Sequence, residues 1–411
     1  MITDSATRVN PVPLYEQMRA AGPLSRTRVS HLTVDHALVS TVLRSDDFRT
    51  ASVGNNVPPV VRWIELRTRG DRTHPLAPPS LLSVEPPEHT RYRALVSSVF
   101  TARAVAGLRD QVQRTADRLL DELAADAASG ATIDIVDRYC AQLPVTVISD
   151  ILGVAQSDRA QVLEFGELAA PSLDIGLTYR QFKKVDQGLR GFDRWLTQHI
   201  ENLRRTPGRD LLSQLITATQ DGETLTDREL RATAGLVLVA GFETTVNLLG
   251  SGVRLLMEHP DQLATLRSDP SHWPNAVDET LRLESPVQLT ARVARCDTEL
   301  AGQPIGAGHM VTLVLAGANR DPQVFTDPHT FDVTRANANR HLSFSGGRHF
   351  CLGAALARVE GEVGLRTLFE RYPDLHPAGI GVRRRTRVLR GWQNLPIQLG
   401  DAVAKSETVP A

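Results

Sequence analysis

Phe344-Ser-Gly-Gly-Arg-His-Phe-Cys-Leu-Gly353 is the stretch whose reading decides the fold. It joins a glycine-rich turn to the apolar-periodic segment Ala354 to Tyr372. Leu352, Leu356, Val359 and Val363 recur there at intervals of four, three and four residues. That spacing predicts a helix starting near Gly353 with one face buried. Its free N–H groups then point back at Cys351, where the partial positive charge of a helix N-terminus lowers a thiol pKa and favours sulfur as metal ligand or nucleophile. Gly346 and Gly347 allow the backbone to fold tightly around the sulfur. Of the three cysteines, Cys140, Cys296 and Cys351, only the last has this setting. A cysteine without it is ordinarily a small buried hydrophobe.

The pattern Phe344-x-x-Gly347-x-x-x-Cys351-x-Gly353 resembles the heme-binding loop of the cytochrome P-450 superfamily of heme-thiolate monooxygenases. The resemblance implies that Cys351 is the proximal axial ligand of a heme iron, with Phe344 and Gly353 as cofactor-binding residues of the same loop. A thiolate ligand pushes electron density toward O–O cleavage on the opposite side of the iron.

A second stretch bears on the same chemistry. Thr226-Asp-Arg-Glu229 is a capping box, and the helical pattern it opens runs without proline to Pro260. Between Arg231 and Arg254 the one charged residue is Glu243. The segment is long and apolar enough for a membrane span, but Gly235, Gly241, Gly250 and Gly252, with polar Thr233, Asn247 and Ser251, favour a buried central helix. A buried Glu needs a partner, and the hydroxyls of Thr244 and Thr245 can bond carbonyls one turn back and open the helix. Ala240-Gly-Phe-Glu-Thr-Thr245 resembles the oxygen-activation motif of the same superfamily. The resemblance implies that Thr244 hydrogen-bonds the oxygen being activated, that Glu243 relays protons to it, and that Ala240 and Gly241 leave room for O2. A kinked core helix with a satisfied Glu is the plain alternative.

Cationic residues supply the supporting shell. A proline pair precedes a helix with His89 and Arg93 four apart on one face, able to clamp an anion. By the resemblance they meet a heme propionate, joined by Arg292 and by His349; without it they are solvated charge. Glu279 and Arg282, three residues apart, can pair behind the heme loop. Thr330 stands where many relatives carry an arginine that joins this pair, which puts the three-membered ion network in doubt. Ser345 stands where bacterial relatives commonly carry glycine.

Composition bounds the rest. The chain has 411 residues and a formal charge of −1, with an isoelectric point near 6.9. It has no aromatic-basic interleaving and no global reason to bind nucleic acid. Three widely spaced cysteines argue against a disulfide framework and for a reducing compartment. No signal peptide or membrane anchor is read at Met1-Ile-Thr-Asp-Ser, so the location expected is cytoplasmic. Lysine occurs only at 183, 184 and 405, a usage that resembles a GC-rich bacterial genome.

In chain order, a proline-initiated helix at Pro11, a strand near Ser30–Val34 and a helix ending at Leu43–Arg44 predict a small mixed opening region. Phe48 to Ser80, rich in proline and holding Arg62, Arg67, Arg69 and Arg72, reads as a long loop. The middle of the chain, with Val112 to Leu123 and Phe182 to Leu203, reads as mostly helix.

The expectation is a single catalytic domain over residues 1–411, mainly α with a smaller β-rich region, with 1–10 and 401–411 as flexible tails. By the resemblance it has the cytochrome P-450-like fold, with heme b between the central helix and the Cys351 loop. It inserts one atom of O2 into an apolar small molecule such as a lipid, terpenoid, steroid or polyketide. NAD(P)H serves only indirectly, because no G-x-G-x-x-G follows a strand; ferredoxin and ferredoxin reductase are the expected partners of a monomer. Arg103, Arg109, Arg114, Arg348 and Arg358 are candidates for the docking face. Leu236, Val239, Val287, Leu289 and Trp392 are candidates for the substrate pocket, with the Trp392 ring over the heme. A heme-thiolate ligand sensor or isomerase is the alternative function, and a colourless helical interaction protein a third.

Overall fold

The computed structural model describes residues 7, 9–27, 30–51, 78–99, 102–174, 178–208, 210–219, 222 and 224–403. Arg62, Arg67, Arg69 and Arg72 of the expected loop, the tail at 404–411 and the Arg103 side chain lie outside the described residues.

The opening region is mixed, as its pattern predicts. Helix α1 (Val12–Ala20) follows Pro11, and α2 (His36–Arg44) is capped by Asp35, whose carboxylate accepts the Leu38 N–H at 2.8 Å. Strands β1 (Ser25–Arg26), β2 (His31–Thr33) and β3 (Phe48–Thr50) lie between and after them.

The helical middle comprises α3 (Glu88–Val99), α4 (Ala102–Glu122), then strand β4 (Ile133–Asp134), α5 (Gln142–Ile151), α6 (Arg159–Ala169), α7 (Tyr179–Arg205), α8 (Asp227–Glu258) and α9 (Trp273–Leu283). Strands β5 (Thr290–Ala294), β6 (Thr298–Leu300), β7 (Gln303–Ile305) and β8 (Met310–Leu313) follow, then α10 (Ala354–Arg371) and β9 (His376–Pro377), β10 (Val382–Arg383), β11 (Trp392–Asn394) and β12 (Pro396–Gln398).

The opening region and the segment 290–313 share one sheet of order β1-β2-β8-β5-β3, in which β2 and β8 are parallel. That pairing brings Arg292, on β5, opposite Thr50 at the end of β3.

Helix α8 is the axis of the helical layer. The Thr226 hydroxyl accepts the Glu229 N–H, the Glu229 carboxylate accepts the Thr226 N–H, and the helix runs 32 residues, roughly 48 Å. Its apolar length would suit a membrane, yet most of it is buried in the fold. The Thr244 and Thr245 hydroxyls donate to the carbonyls of Ala240 and Gly241 at 2.7 and 2.9 Å. The expected opening of the helix does not occur: α8 is continuous through both, since each carbonyl oxygen can accept a second bond.

Helix α10 packs along α8 and α4 and holds a second buried acid, Glu360, 4% exposed and bonded to the Thr245 hydroxyl. Burial pushes its carboxyl up to about 8, against the pull of Thr245. The folded state therefore keeps a proton that the unfolded chain releases near 4.5. Stability is full below that lower value and falls as pH rises toward the upper one. Across that window, Glu360→Gln should gain urea resistance relative to the parent by up to ~1.4 kcal/mol per pH unit. A difference that stays flat from pH 5 to 8 would show that Glu360 is not a buried neutral acid.

Candidate heme-thiolate site

The Cys351 loop is a tight return anchored at both ends. The Cys351 N–H donates to the Phe344 carbonyl at 2.9 Å, and the Phe350 N–H to that of Gly347 at 3.1 Å. Gly347 has φ +64°, and a Cβ there would lie 2.3 Å from the Leu43 carbonyl oxygen, so no other residue fits beside α2. Ser345 has φ +63°, a conformation that costs a non-glycine residue energy. Phe344 is buried with Leu248 of α8, Val277 and Leu281 of α9 and Ala354 of α10, which sets the loop one helical turn from Thr244.

The Cys351 side chain is exposed on one side and crowded on the others. Crowding raises its thiol above the ordinary value, and the Gly353 N–H with the charges of Arg93 and Arg358 only partly offsets this. The expected lowering by the helix N-terminus is thus outweighed in the protein alone. A coordinated metal deprotonates a thiol outright, so the site suits a sulfur that becomes thiolate on binding iron.

The four predicted clamp residues come together around the loop. The His89 and His349 rings are 4.3 Å apart, Arg93 donates to the Phe350 carbonyl at 2.7 Å, and Arg292 is 5% exposed and donates to the Thr290 hydroxyl and the Ala291 carbonyl. Burial and then Arg93 lower the pKa of His89; burial, His89 and Arg292 push His349 down to about 3. Sequence reasoning missed the one carboxylate at this cluster, Glu85. Burial raises its pKa, but two bonds from Thr50, with His349 and Arg295, hold it below the usual range. Among the described residues the Nε2 atoms of both histidines are buried without a hydrogen-bond partner, although His349 Nε2 lies 3.7 Å from Glu85 Oε1. A cluster so rich in donors, with orphaned nitrogens and one carboxylate, fits the two propionates of a heme.

Glu243 is 1% exposed, and its partner is one that sequence reasoning missed: Arg384 Nε, 3.1 Å away on the turn after β10. Nothing in the run Arg383-Arg384-Arg385 singles it out. Burial raises the Glu243 carboxyl; Arg384 and then Asn247 pull it down.

Behind the loop, Glu279 and Arg282 are both fully buried and pair at 2.6 and 2.8 Å. The second guanidinium comes from Arg335, whose Nε is 3.0 Å from the same carboxylate. Thr330 contributes its carbonyl oxygen, which accepts from Arg282 and Arg335 at 2.9 and 3.1 Å. The network doubted at Thr330 is complete through a residue five positions later.

The pocket candidates on α8 differ in helical phase. Along α8, Val237, Ala240, Gly241 and Thr244 are half-buried in an otherwise buried stretch, and their spacing makes one open stripe. Leu236 and Val239 lie off it: both are buried, and Val239 packs on Val185 and Leu189 of α7. Val237 lies on it. Trp392 is not over the stripe either. It lies beside Gly250, about 9 Å along the axis beyond Thr244, between the guanidiniums of Arg383 and Arg254. The strand pleat turns its ring inward. Val287 and Leu289 are half-buried, and Val287 bridges Leu389.

Most docking-face candidates are engaged. Arg109 pairs with Glu362, Arg348 with Asp46, and Arg358 with Asp278 while lying over the Phe344 ring. Arg114 is exposed.

A fold that brings a cysteine loop, an anion clamp and an oxygen-side helix together defines a heme-thiolate enzyme. Comparison with known proteins agrees. The profile of the family Cytochrome P450 matches residues 143–271 and 273–377. The chain is 61% identical over 405 residues to the protein named cytochrome P450 140 of Mycobacterium tuberculosis, covering 98% of this chain and 92% of that one. It is 42% identical over 319 residues to 6-deoxyerythronolide B hydroxylase of Saccharopolyspora erythraea, covering 77% and 76%. The structure of Bacillus subtilis PksS, a cytochrome P450 of the bacillaene polyketide synthase, superposes with a TM-score of 0.86 at 31% identity, over 98% of this chain and 100% of that one.

The chain belongs to the cytochrome P450 family and is a monooxygenase. The family uses heme and O2, takes small-molecule substrates and draws electrons from redox partners.

Arg335→Ala leaves Glu279 short of one partner in a dry interior and should cost ~3–5 kcal/mol. Thr330→Ala keeps the carbonyl and should cost under ~0.5 kcal/mol. Equal losses in urea unfolding would show that the Thr330 side chain matters after all. Ser345→Gly should gain about 0.5–1 kcal/mol by relieving the left-handed strain, with a lower unfolding midpoint as the contrary result.

Proposed function

We propose that this protein hydroxylates or epoxidises an apolar small molecule of the polyketide, lipid, terpenoid or steroid kind. The observation that carries this reading is the open stripe Val237-Ala240-Gly241-Thr244, uncharged and one turn from the residue that packs on Phe344 of the cysteine loop. The named activity of the Saccharopolyspora relative and the polyketide context of PksS favour a polyketide-like substrate within that range.

In this reading Cys351 would supply the thiolate that holds the iron of heme b, in a loop completed by Phe344 and Gly353. His89, Arg93, Arg292 and His349 hold the propionates. When bound, the heme supplies the iron that activates O2. Ala240 and Gly241 leave the oxygen side uncrowded; the Thr244 hydroxyl, which donates to the Ala240 carbonyl in the protein alone, would turn its proton toward that side, and Glu243 would restore it. Val237, Val287 and Leu289 form apolar walls. Electrons from NAD(P)H reach the protein through ferredoxin and its reductase, and the protein acts as a cytoplasmic monomer of one domain. With Arg109, Arg348 and Arg358 already paired, docking rests on Arg114 more than on an unbroken basic face.

The reduced protein under carbon monoxide should show a strongly red-shifted Soret band that Cys351→Ser abolishes. A preparation without heme in either form would overturn the reading. Given a turned-over substrate, Glu243→Gln should lower product formation by about 10²-fold at unchanged substrate binding. Undiminished product formation would remove Glu243 from proton delivery.

A further inference from the structure

The acid on the central helix faces a charge that comes from outside the helix. Glu243 Oε1 lies 3.1 Å from Arg384 Nε and 3.5 Å from Asn247 Nδ2, while Oε2 is buried without a hydrogen-bond partner. Asn247 belongs to the same helix; Arg384 belongs to the turn that joins β10 to β11.

Several contacts fix where that turn sits, among them the Gln288 N–H donating to the Val388 carbonyl at 2.8 Å and the Arg390 N–H to the Pro286 carbonyl at 2.9 Å. At Gly391 its backbone lies against the Asn247 side chain so closely that a Cβ would fall 1.7 Å from Asn247 Oδ1. The Arg384 N–H donates to the Gly391 carbonyl at 3.0 Å, so the close approach at 391 also places 384. Farther along, the Asp174 carboxylate accepts the Arg387 N–H at 2.9 and 3.0 Å and the Val388 N–H at 2.7 Å. Asp174 directly follows the short 3-10 turn Ala170–Leu173.

We propose that Arg384 is a positioning residue for Glu243, and that the clamp of Asp174 on residues 387 and 388 holds it there. The placement of this turn then governs which charge the acid faces. The inference rests on the proton-delivery reading of Glu243 and adds what sets that residue's state.

The remaining surroundings leave Arg384 as the counter-charge. Helix α6 offers Glu167, which pushes the Glu243 carboxyl up in the same sense as burial. Helix α5 meets this stretch of α8 with Ile148, and on α10 the acid Glu360 is bonded to Thr245. Asn247 provides a dipole and Arg384 a full charge. Moving the turn away therefore leaves a buried carboxyl beside another acid, and protonation becomes its favoured state. The same turn walls a cavity of about 50 Å³ with Tyr15, Gln288 and Leu289, so a molecule entering there touches the segment that carries Arg384.

The test reads the Glu243 carboxyl itself, by infrared titration of the substrate-free, heme-loaded protein, with the band assigned by its loss in Glu243→Gln. Arg384→Gln should move the midpoint up by about 1–3 pH units, as loss of a cation at this range requires. Arg384→Lys should return most of that shift, and Asp174→Ala should move it upward by less. An unmoved midpoint in Arg384→Gln overturns the positioning role. A midpoint unchanged in Asp174→Ala overturns the clamp. The titration needs no turnover, so it stands apart from the monooxygenase reading, whose failure would show in the carbon monoxide spectrum.

Discussion

The carboxylate of Glu279 is the fixed point from which the sulfur loop is built. It is wholly buried, grips Arg282 and Arg335, and accepts the Asp332 N–H at 3.0 Å. The two guanidiniums then spend their other donors on the carbonyls of Asn319, Thr326, Asp327, Pro328 and Thr330. That segment has no helix or sheet ladder to satisfy its backbone, and buried carbonyls without donors would be costly. An ion network replaces secondary structure there. Asn319 carries the order onward, bonding Ser285, Ser343 and the Leu342 N–H, and Leu342 is two residues before Phe344. The position of Cys351 is thus inherited from α9 through side chains.

The heme side follows a different logic. Around His89, His349, Arg93 and Arg292 the protein concentrates donors that its own acids do not match, and Glu85 is already engaged by Thr50 and Arg295. In the protein alone this appears as depressed histidines and a raised thiol. Each departure has the sign that an anionic, iron-bearing cofactor would reverse. The polypeptide is incomplete electrostatically in the way its ligand completes.

The sequence was legible where physics is local. The capping box at Thr226 and the proline at 260 set the limits of α8 to within a residue or two, because caps and breakers act on their own helix. The loop around Cys351 was legible because glycine at 347 answers a steric demand that no other residue meets. What stayed hidden was long-range. Arg335 and Arg384 look like any other arginine in an arginine-rich chain, and only the folded path puts them on Glu279 and Glu243. The open stripe on α8 was hidden for a related reason. A helix apolar all round gives no phase, so Leu236 and Val239 could not be told from Val237 until their neighbours were in place.

Trp392 shows the same limit on a strand. Its size suggested a pocket wall, yet a large ring on a pleated hairpin goes wherever a small residue lies opposite, and here that is Gly250. With Arg383 stacked at 3.7 Å on its ring, Trp392 anchors the hairpin to α8 beyond the reactive stretch. Arg384 follows directly on the Arg383–Trp392 pair, so the same anchoring places the charged side chain that reaches back to Glu243. The ring therefore reaches the chemistry through the hairpin it fastens, while the space above the open stripe is left to residues small enough to leave it open.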